Sequence, residues 1–441
     1  MQVTETLAEG LKREFSVLVP AADMARHVDD RLVSLGRTLK VPGFRPGKVP
    51  MPVLRQRYGK SVLGEVLEQT VEESSAKALS ERGLRPAMMP RIQVTKFEED
   101  GDLEYSMSVE LIPEIVPVDF ATLSLERVVA TVGDTEIDEA LERIKQRYKR
   151  FEPITEARPA VAGDSVVIDF LGKIDGVPFD GGKGEGYSLE LGSNTFIPGF
   201  EDQLIGITVG ETKDINVAFP AEYPSPEVAG KQAVFTVTAN EIRVAAEQVI
   251  DDEFAASIGA ETAEKLRDAV RGEIEREFGQ VSKARLKRAL LDQLAEVHSF
   301  EVPKTMVDAE FEGIWRRVEE ATKQGQTDPD MEGKSEDEQK AEYRTIAERR
   351  VRLGLLLAEV GRLNSITVSE DELRRAVIRE ATRYQGQERQ VIEYYQKNRE
   401  ALDQLRAPVM EEKVVDFILD IAKLTDKTVT PAELFEAPAA A

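Results

Sequence analysis

The residues best placed to do chemistry lie in the decapeptide VPGFRPGKVP at 41–50. Pro46 and Gly47 suit the two central positions of a type II turn, where proline presets φ and glycine tolerates a positive φ. Such a turn holds Phe44 and Arg45 at a loop tip. A ring that buries area beside a guanidinium that grips carboxylate or phosphate is a docking pair. An ordinary helix–helix loop with Phe44 folded into the core satisfies the same pattern, and the residues alone leave both readings open. Other chemistry is excluded. The chain has no Cys, which removes disulfides, thiol catalysis and Cys-ligated zinc. Its two histidines, His27 and His298, are far apart and show no partners in the sequence. Neither a His-rich metal site nor a Ser-His-Asp constellation is expected.

Two further segments imitate sites. DGGKGEG (180–186) looks like a phosphate loop but lacks the Gly-x-x-x-x-Gly-Lys-Ser/Thr spacing and a following helix, so it reads as a flap. DPDMEGKSEDEQ (328–339) imitates a calcium loop through Asp328, Asp330, Glu332 and Gly333. Its twelfth residue is Gln339, where a bidentate Glu is required, so it reads as a solvated loop at a helical hairpin tip. No metal and no cofactor is expected.

Charge sharpens the reading of the first loop. The 441 residues carry a net charge of -24, which is unfavourable for general nucleic-acid binding. Yet the window 31–60 holds Arg31, Arg37, Lys40, Arg45, Lys48, Arg55, Arg57 and Lys60 and no acid. A solvated basic face is one explanation. A basic patch on an acidic protein also steers it to an anionic partner while the remaining surface resists non-specific binding. The N-terminal stretch has no apolar core of signal-peptide length, and no apolar run is long enough to span a bilayer, so a cytoplasmic protein without membrane contact is expected.

The elements that must position these residues follow from periodicity. At roughly 100–200 residues per domain, the length predicts two to four domains. Residues 13–18 alternate as a strand, and 21–40 follow a helical period through Met24, Val28, Leu32 and Leu35. A second amphipathic helix covers 51–82. Strands begin at Arg91 and Leu103, with EEDGD between them as a hairpin turn. PEIVPVDF (113–120) is a Pro-punctuated linker, and 134–150 is a helix capped by Asp134 or Thr135. The stretch 161–244 is rich in strands separated by Gly and Pro turns. From 247 the pattern is helical, with Leu353, Leu356, Leu357 and Val360 on one stripe, and the final APAAA is expected to be disordered.

Gly43, Phe44, Arg45, Gly47, Lys48 and Pro50, followed by a helix carrying Arg55, Arg57, Tyr58 and Gly59, resemble the ribosome-binding loop of the trigger factor family, bacterial ribosome-associated chaperones. Pro46 stands where several members have a basic residue, which implies a stiffer loop with one charge fewer. VVIDFLGKIDGVPFDGG, LGSNTFIPGFEDQLIGITVGE and FPAEYPSPEVAGKQAVFTVTANEI resemble the FK506-binding-protein (FKBP) type of prolyl isomerase. YQGQERQVIEYYQKN and KLTDKTVTPAEL are similar to the family's helical region, so the resemblance runs over essentially the whole chain.

The resemblance implies a fold and a division of labour. The fold is an α+β multidomain chain: an N-terminal α/β ribosome-binding domain at 1–112, a β-rich FKBP-like domain at 151–246 and an all-α chaperone domain at 247–432. Residues 113–150 pack with the helical domain, and 433–441 form a tail. Gly43, Phe44, Arg45, Pro46, Gly47 and Lys48 would contact the ribosome, at large-subunit protein and RNA beside the peptide exit tunnel. Phe170, Phe179, Asp180, Tyr187, Phe196, Ile197, Phe200, Tyr223 and Phe235 would form the isomerase pocket, with Phe200 as an apolar floor where many stand-alone isomerases have Trp. Asp180 and Tyr223 would orient substrate at the rim without acting as acid or base. Partners are then the ribosome and nascent or unfolded polypeptides, with a homodimer allowed off the ribosome. The stripes around Leu353–Val360 and Val391–Tyr395 are the candidate client surfaces. A competing reading is a free cytosolic prolyl isomerase whose helical region only dimerises. A purely structural helical scaffold would leave the ordered isomerase motifs unexplained.

Overall fold

Alternation and helical period place most elements. The structure is a computed structural model that describes residues 1–38, 42, 44, 49–98, 101–223, 225, 227–326 and 328–436, with backbone alone at 330. The first elements are β1 (Gln2–Glu9), β2 (Lys12–Val19), α1 (Ala21–Thr38), α2 (Met51–Glu81), β3 (Arg91–Lys96), β4 (Leu103–Glu110) and β5 (Ser124–Val129). The middle of the chain holds α3 (Asp134–Arg147), β6 (Phe151–Pro153), β7 (Ser165–Ile174), β8 (Val177–Glu190), α4 (Phe200–Leu204), β9 (Thr212–Ala218) and β10 (Gln232–Ala245). Then come α5 (Asp252–Ser257), α6 (Ala263–Val297), α7 (Lys304–Lys323), α8 (Glu336–Leu363), α9 (Glu370–Ala381), α10 (Glu388–Lys397), α11 (Arg399–Ile421), β11 (Lys423–Thr428) and α12 (Pro431–Phe435). Two units result: Met1–Arg127 with Lys283–Lys427, and Val128–Ser282 with Thr428–Ala441.

In the first unit an antiparallel sheet runs β1-β2-β4-β3. β4 alternates strictly, burying Leu103, Tyr105, Met107 and Val109. Those side chains pack under Met24, Val28 and Leu32 of α1 and Leu54, Val62 and Val66 of α2. The two helices cross closely because residue 36 is glycine: a Cβ there would lie 2.8 Å from Cδ1 of Leu54. β1 has little apolar alternation and is held by its ladder to β2, which is why periodicity misses it. The helical part buries Leu353, Leu356, Leu357 and Val360 of α8 with Val414, Val415 and Ile418 of α11. The proposed client stripe at 353–360 is therefore core. β5 pairs with β11, a ribbon whose strands are too polar to announce themselves.

Both histidines have partners, contrary to the sequence reading. His27 Nδ1 lies 3.1 Å from Thr70 Oγ1. His298 is buried, its Nε2 accepting the amide of Val118 at 3.2 Å and its Nδ1 2.8 Å from the carbonyl of Leu294. These partners lie 43 and 180 residues away or on the preceding helical turn, beyond what spacing reveals. In the calcium-loop mimic, the Gln339 side chain donates to the carbonyls of Met331 and Lys334, and Ser335 caps α8 in a capping box with Glu338.

In the second unit the strand order is β6-β10-β7-β8, with β9 also pairing β10. The short helix α4 closes its core through Phe200 and Leu204, both fully buried. α3 packs Ile137 and Leu141 against Phe254 of α5 and Leu266 and Val270 of α6. The cap of α3 is Gly133, whose amide donates to Glu136, rather than Asp134 or Thr135. Asp134 is already helical and accepts from Arg267 instead.

Candidate functional site

The DGGKGEG segment is strand, not flap. It lies inside β8, which pairs with β7 through Phe170↔Gly184 and Leu171↔Lys183, with register shifts on either side. Its glycines have a steric purpose. A Cβ on Gly184 would lie 2.5 Å from Cε1 of Phe170, and one on Gly182 would lie 2.9 Å from Cζ of Phe179. A Cβ on Gly172 of β7 would lie 2.5 Å from Cε1 of Phe235 and 2.9 Å from Cε1 of Phe179. The sheet is thinned at three points, which lets aromatic rings approach its backbone closely.

Those rings surround a cleft of about 560 Å³. β7 contributes Phe170, β8 contributes Phe179 and Asp180, the loop before α4 contributes Phe196 and Ile197, and β10 contributes Phe235. Phe170 stands edge-on to Phe196 with centroids 6.0 Å apart, and Phe179 meets Phe235 edge-on at 5.9 Å. Such edge-to-face pairs fix ring orientation and add roughly 0.5–1.5 kcal/mol each beyond burial. Tyr223 stands at the rim, its ring 4.9 Å from that of Phe219. Asp180 is exposed at the same opening.

Seven of the nine expected pocket residues line this cleft: Phe170, Phe179, Asp180, Phe196, Ile197, Tyr223 and Phe235. The other two sit one layer away. Phe200 is fully buried and supports Phe196 and Phe235 from beneath, at centroid distances of 4.9 and 5.3 Å. Tyr187 is half-exposed and packs its ring on Phe170 and Phe196 from outside. Phe219 lines the cleft and was missed, as was Val228. The available signal for Phe219 was an aromatic ending the strand pattern DINVAF just before Pro220.

The loop bearing Phe196 and Ile197 is held by one carboxylate. Glu201 is buried, and its Oε2 accepts the amides of Gly192 and Asn194, both at 2.9 Å. Its Oε1 accepts the amides of Thr195 at 2.9 Å and Phe196 at 3.1 Å, and the hydroxyl of Ser193 at 3.2 Å. Burial pushes this carboxyl up, but the amides of Asn194, Phe196 and Gly192 and the Ser193 hydroxyl together hold it below the usual range.

Of the expected docking residues, Phe44 is exposed, while Gly43, Arg45, Pro46, Gly47 and Lys48 lie outside the described residues. The basic window is less uniform in space than in sequence. Arg31 pairs with Glu65 and Arg55 with Asp29, both acids lying just outside the window. Arg57 and Lys60 line a second cleft of about 340 Å³ floored by Met24, Val28, Leu63 and Phe97.

The geometry suits binding and orientation of a polypeptide segment. Among the described residues no cluster could hold a metal ion, and no helix is long and apolar enough to cross a membrane. The model of the bacterial trigger factor protein (TF) matches residues 1–144 and that of its C-terminus 262–420. The FKBP-type peptidyl-prolyl cis-trans isomerase model matches 156–240, the segment that supplies the residues of the aromatic cleft. A trigger factor from Paramagnetospirillum magneticum is 53% identical over 99% of this chain and 94% of that protein. One from Rhodospirillum centenum is 52% identical over 99% of this chain and 98% of its own length. A solved structure of the trigger factor chaperone shares the fold, with a TM-score of 0.58 at 18% identity, covering 95% of this chain and 99% of that one.

Proposed function

The chain belongs to the trigger factor family, and from that premise we propose how its residues divide the work. The protein is a ribosome-associated chaperone with an FKBP-type prolyl isomerase domain. It acts on ribosomes and on nascent chains, and the reading of it as a free isomerase with a helical dimerisation module is not favoured. Our finer reading places it in the cytoplasm, with Gly43, Phe44, Arg45, Pro46, Gly47 and Lys48 docking on the large subunit at the exit tunnel. The working parts in this reading are 1–112 for docking, 151–246 for isomerisation and 247–432 for holding clients, with 113–150 between the first two. A homodimer off the ribosome belongs to the same reading.

For isomerisation the carrying observation is a cleft walled by Phe170, Phe179, Phe196 and Phe235 on a glycine-thinned sheet. Rotation about an X–Pro bond faces a barrier of about 18–20 kcal/mol set by amide resonance. No nucleophile lowers that barrier; a better match to the twisted amide does. In the twisted state the carbonyl and nitrogen are less conjugated and the group is less polar, so an apolar cleft binds it in preference to the planar form. The rings take the prolyl face, and Asp180 and Tyr223 hydrogen-bond the flanking backbone. Phe200 and Tyr187 hold the ring array from behind and outside.

With the α8 stripe buried, the client surface in this reading is the Val391–Tyr395 stripe of α10, joined by exposed apolar residues of α9 and the turn that follows it. α10 buries none of its residues, and Ile378, Tyr384 and Tyr394 are exposed. Apolar groups dispersed among charges can hold unfolded segments weakly and release them without ATP. The test is an X–Pro peptide isomerisation assay run beside ribosome pelleting. Activity in the first and co-sedimentation in the second are expected. Activity with no co-sedimentation would restore the free isomerase.

A further inference from the structure

We propose that Glu201, which does not line the cleft, is a positioning residue for prolyl isomerisation, fixing the 192–197 loop so that Phe196 and Ile197 face the substrate. The proposal rests on the isomerase reading above. Four consecutive-region amides, those of Gly192, Asn194, Thr195 and Phe196, converge on this single carboxylate, and the hydroxyl of Ser193 joins them. The loop has no strand or helix partner of its own between β8 and α4. Gly192 and Asn194 both adopt positive φ, 91° and 55°, so the chain coils back on itself and turns its N–H groups inward. Successive amides arranged this way form an anion-binding concavity. Here the anion is supplied by the protein itself.

The consequence reaches the cleft directly. Thr195, Phe196, Ile197 and Pro198 all line it, and the amides of the first two end on Glu201. The Phe196 ring contacts the rings of Phe170, Tyr187 and Phe200. Without an acceptor, the four N–H groups aimed at the carboxylate would be left without a protein partner, which disfavours the coiled loop. The loop would then open to hydrate them and carry Phe196 with it. Both oxygens are needed, since each receives at least two donors. Glutamine matches the shape but offers one acceptor oxygen and turns an NH₂ toward amides that also donate. Aspartate keeps both oxygens on a stem one carbon shorter.

The experiment compares full-length wild type, Glu201→Gln, Glu201→Asp and Glu211→Gln in an X–Pro peptide assay, with amide hydrogen exchange on the same samples. Glu211 also accepts main-chain and side-chain donors, from Thr208, in a different loop of this domain and serves as the control. We expect Glu201→Gln to lower kcat/KM by roughly 10-fold to 100-fold, since misplacement by about 1 Å reaches that scale. Glu201→Asp should fall between it and wild type, and Glu211→Gln should stay near wild type. Exchange should quicken at Asn194, Thr195 and Phe196 while β7 and β10 stay protected. Wild-type activity in Glu201→Gln overturns the proposal alone. Loss of protection across β7 and β10 also overturns it, because Glu201 would then support the whole domain. An inactive wild type overturns the isomerase reading and this proposal together.

Discussion

In the second unit, the cleft residues come from two strands of one hairpin, a loop, the segment after β9 and β10, and they meet only because the packed sheet and loop bring 170, 196 and 235 together. Between α1 and α2, the residues proposed for docking are six neighbours in one stretch of chain, with exposed Phe44 among them. The two regions also use charge differently. The cleft is walled by rings, and the nearby carboxylate of Glu201 is consumed by main-chain amides. The helical pair carries Arg37, Arg57 and Lys60, while Arg31 and Arg55 are matched by Glu65 and Asp29. A site assembled by convergence depends on backbone geometry at several remote points. A site written in one loop depends on the side chains alone. The first should be fragile to small changes in glycine, and the second to loss of its own anchors.

The largest expected effect tests the local site. Phe44→Ala with Arg45→Ala should abolish ribosome pelleting, and raising the salt should weaken wild-type binding because exposed charges are screened within about 10 Å at 0.1 M. Peptide isomerisation by the double variant should stay within about two-fold of wild type, because neither residue belongs to the cleft or to the unit that carries it. Full pelleting by the variant would place docking elsewhere, and a parallel fall in isomerisation would break the contrast.

Next come the glycines. Gly184→Ala adds one carbon 2.5 Å from Phe170, so the ring must leave its place. Overpacking of this kind costs roughly 1–3 kcal/mol in stability. Isomerisation should fall roughly 10-fold or more, matching Phe170→Ala, since misplacing a group by about 1 Å has effects of that order. Lys183→Ala, beside it on β8 and paired with exposed Glu185, should change little. A Gly184→Ala variant as active as wild type would show that the cleft does not depend on the thinned sheet.

A smaller effect concerns the first unit. Glu359 accepts from Arg362 at 2.6 and 2.9 Å and from Arg85 at 3.0 Å. Arg362 foremost, against the opposing effect of burial and with help from Arg85, lowers its pKa to about 2 from an ordinary 4.5. A depressed carboxyl stabilises the fold fully above its unfolded pKa and loses that contribution as pH falls. Urea midpoints should therefore drop for wild type between pH 4.5 and about 2, whereas Glu359→Gln should start lower and show a flatter profile over that window. Parallel profiles would remove Glu359 as the source.

The smallest change is expected on deleting the isomerase domain. Residues 1–150 joined to 247–441 should still suppress aggregation of a refolding protein, and the isolated 151–246 domain should not. Equal protection by the isolated domain at equal molarity would move the client surface into the cleft.

By itself the sequence determined what depends on neighbours along the chain. The loop at 41–50 is legible because Pro and Gly restrict φ locally, and α1 and α2 are legible because Met24, Val28 and Leu32 repeat at the pitch of a helix. The family resemblance carried the names of the cleft residues, since periodicity alone cannot separate a ring lining a cavity from one in the core. Tertiary structure decided the rest. It put Phe200 under the cleft, Tyr187 outside it and Phe219 on its wall. It turned the stripe from Leu353 to Val360 inward while leaving Tyr394 exposed in the stripe from Val391 to Tyr395, although both stretches have helical apolar spacing. It paired polar β5 with β11 through contacts such as Arg127 to Asp426, 299 residues apart. The physical reason is common to all of these. Backbone preference acts within a few residues, whereas burial and the sharing of hydrogen bonds are settled by which distant segments the packed chain brings within reach.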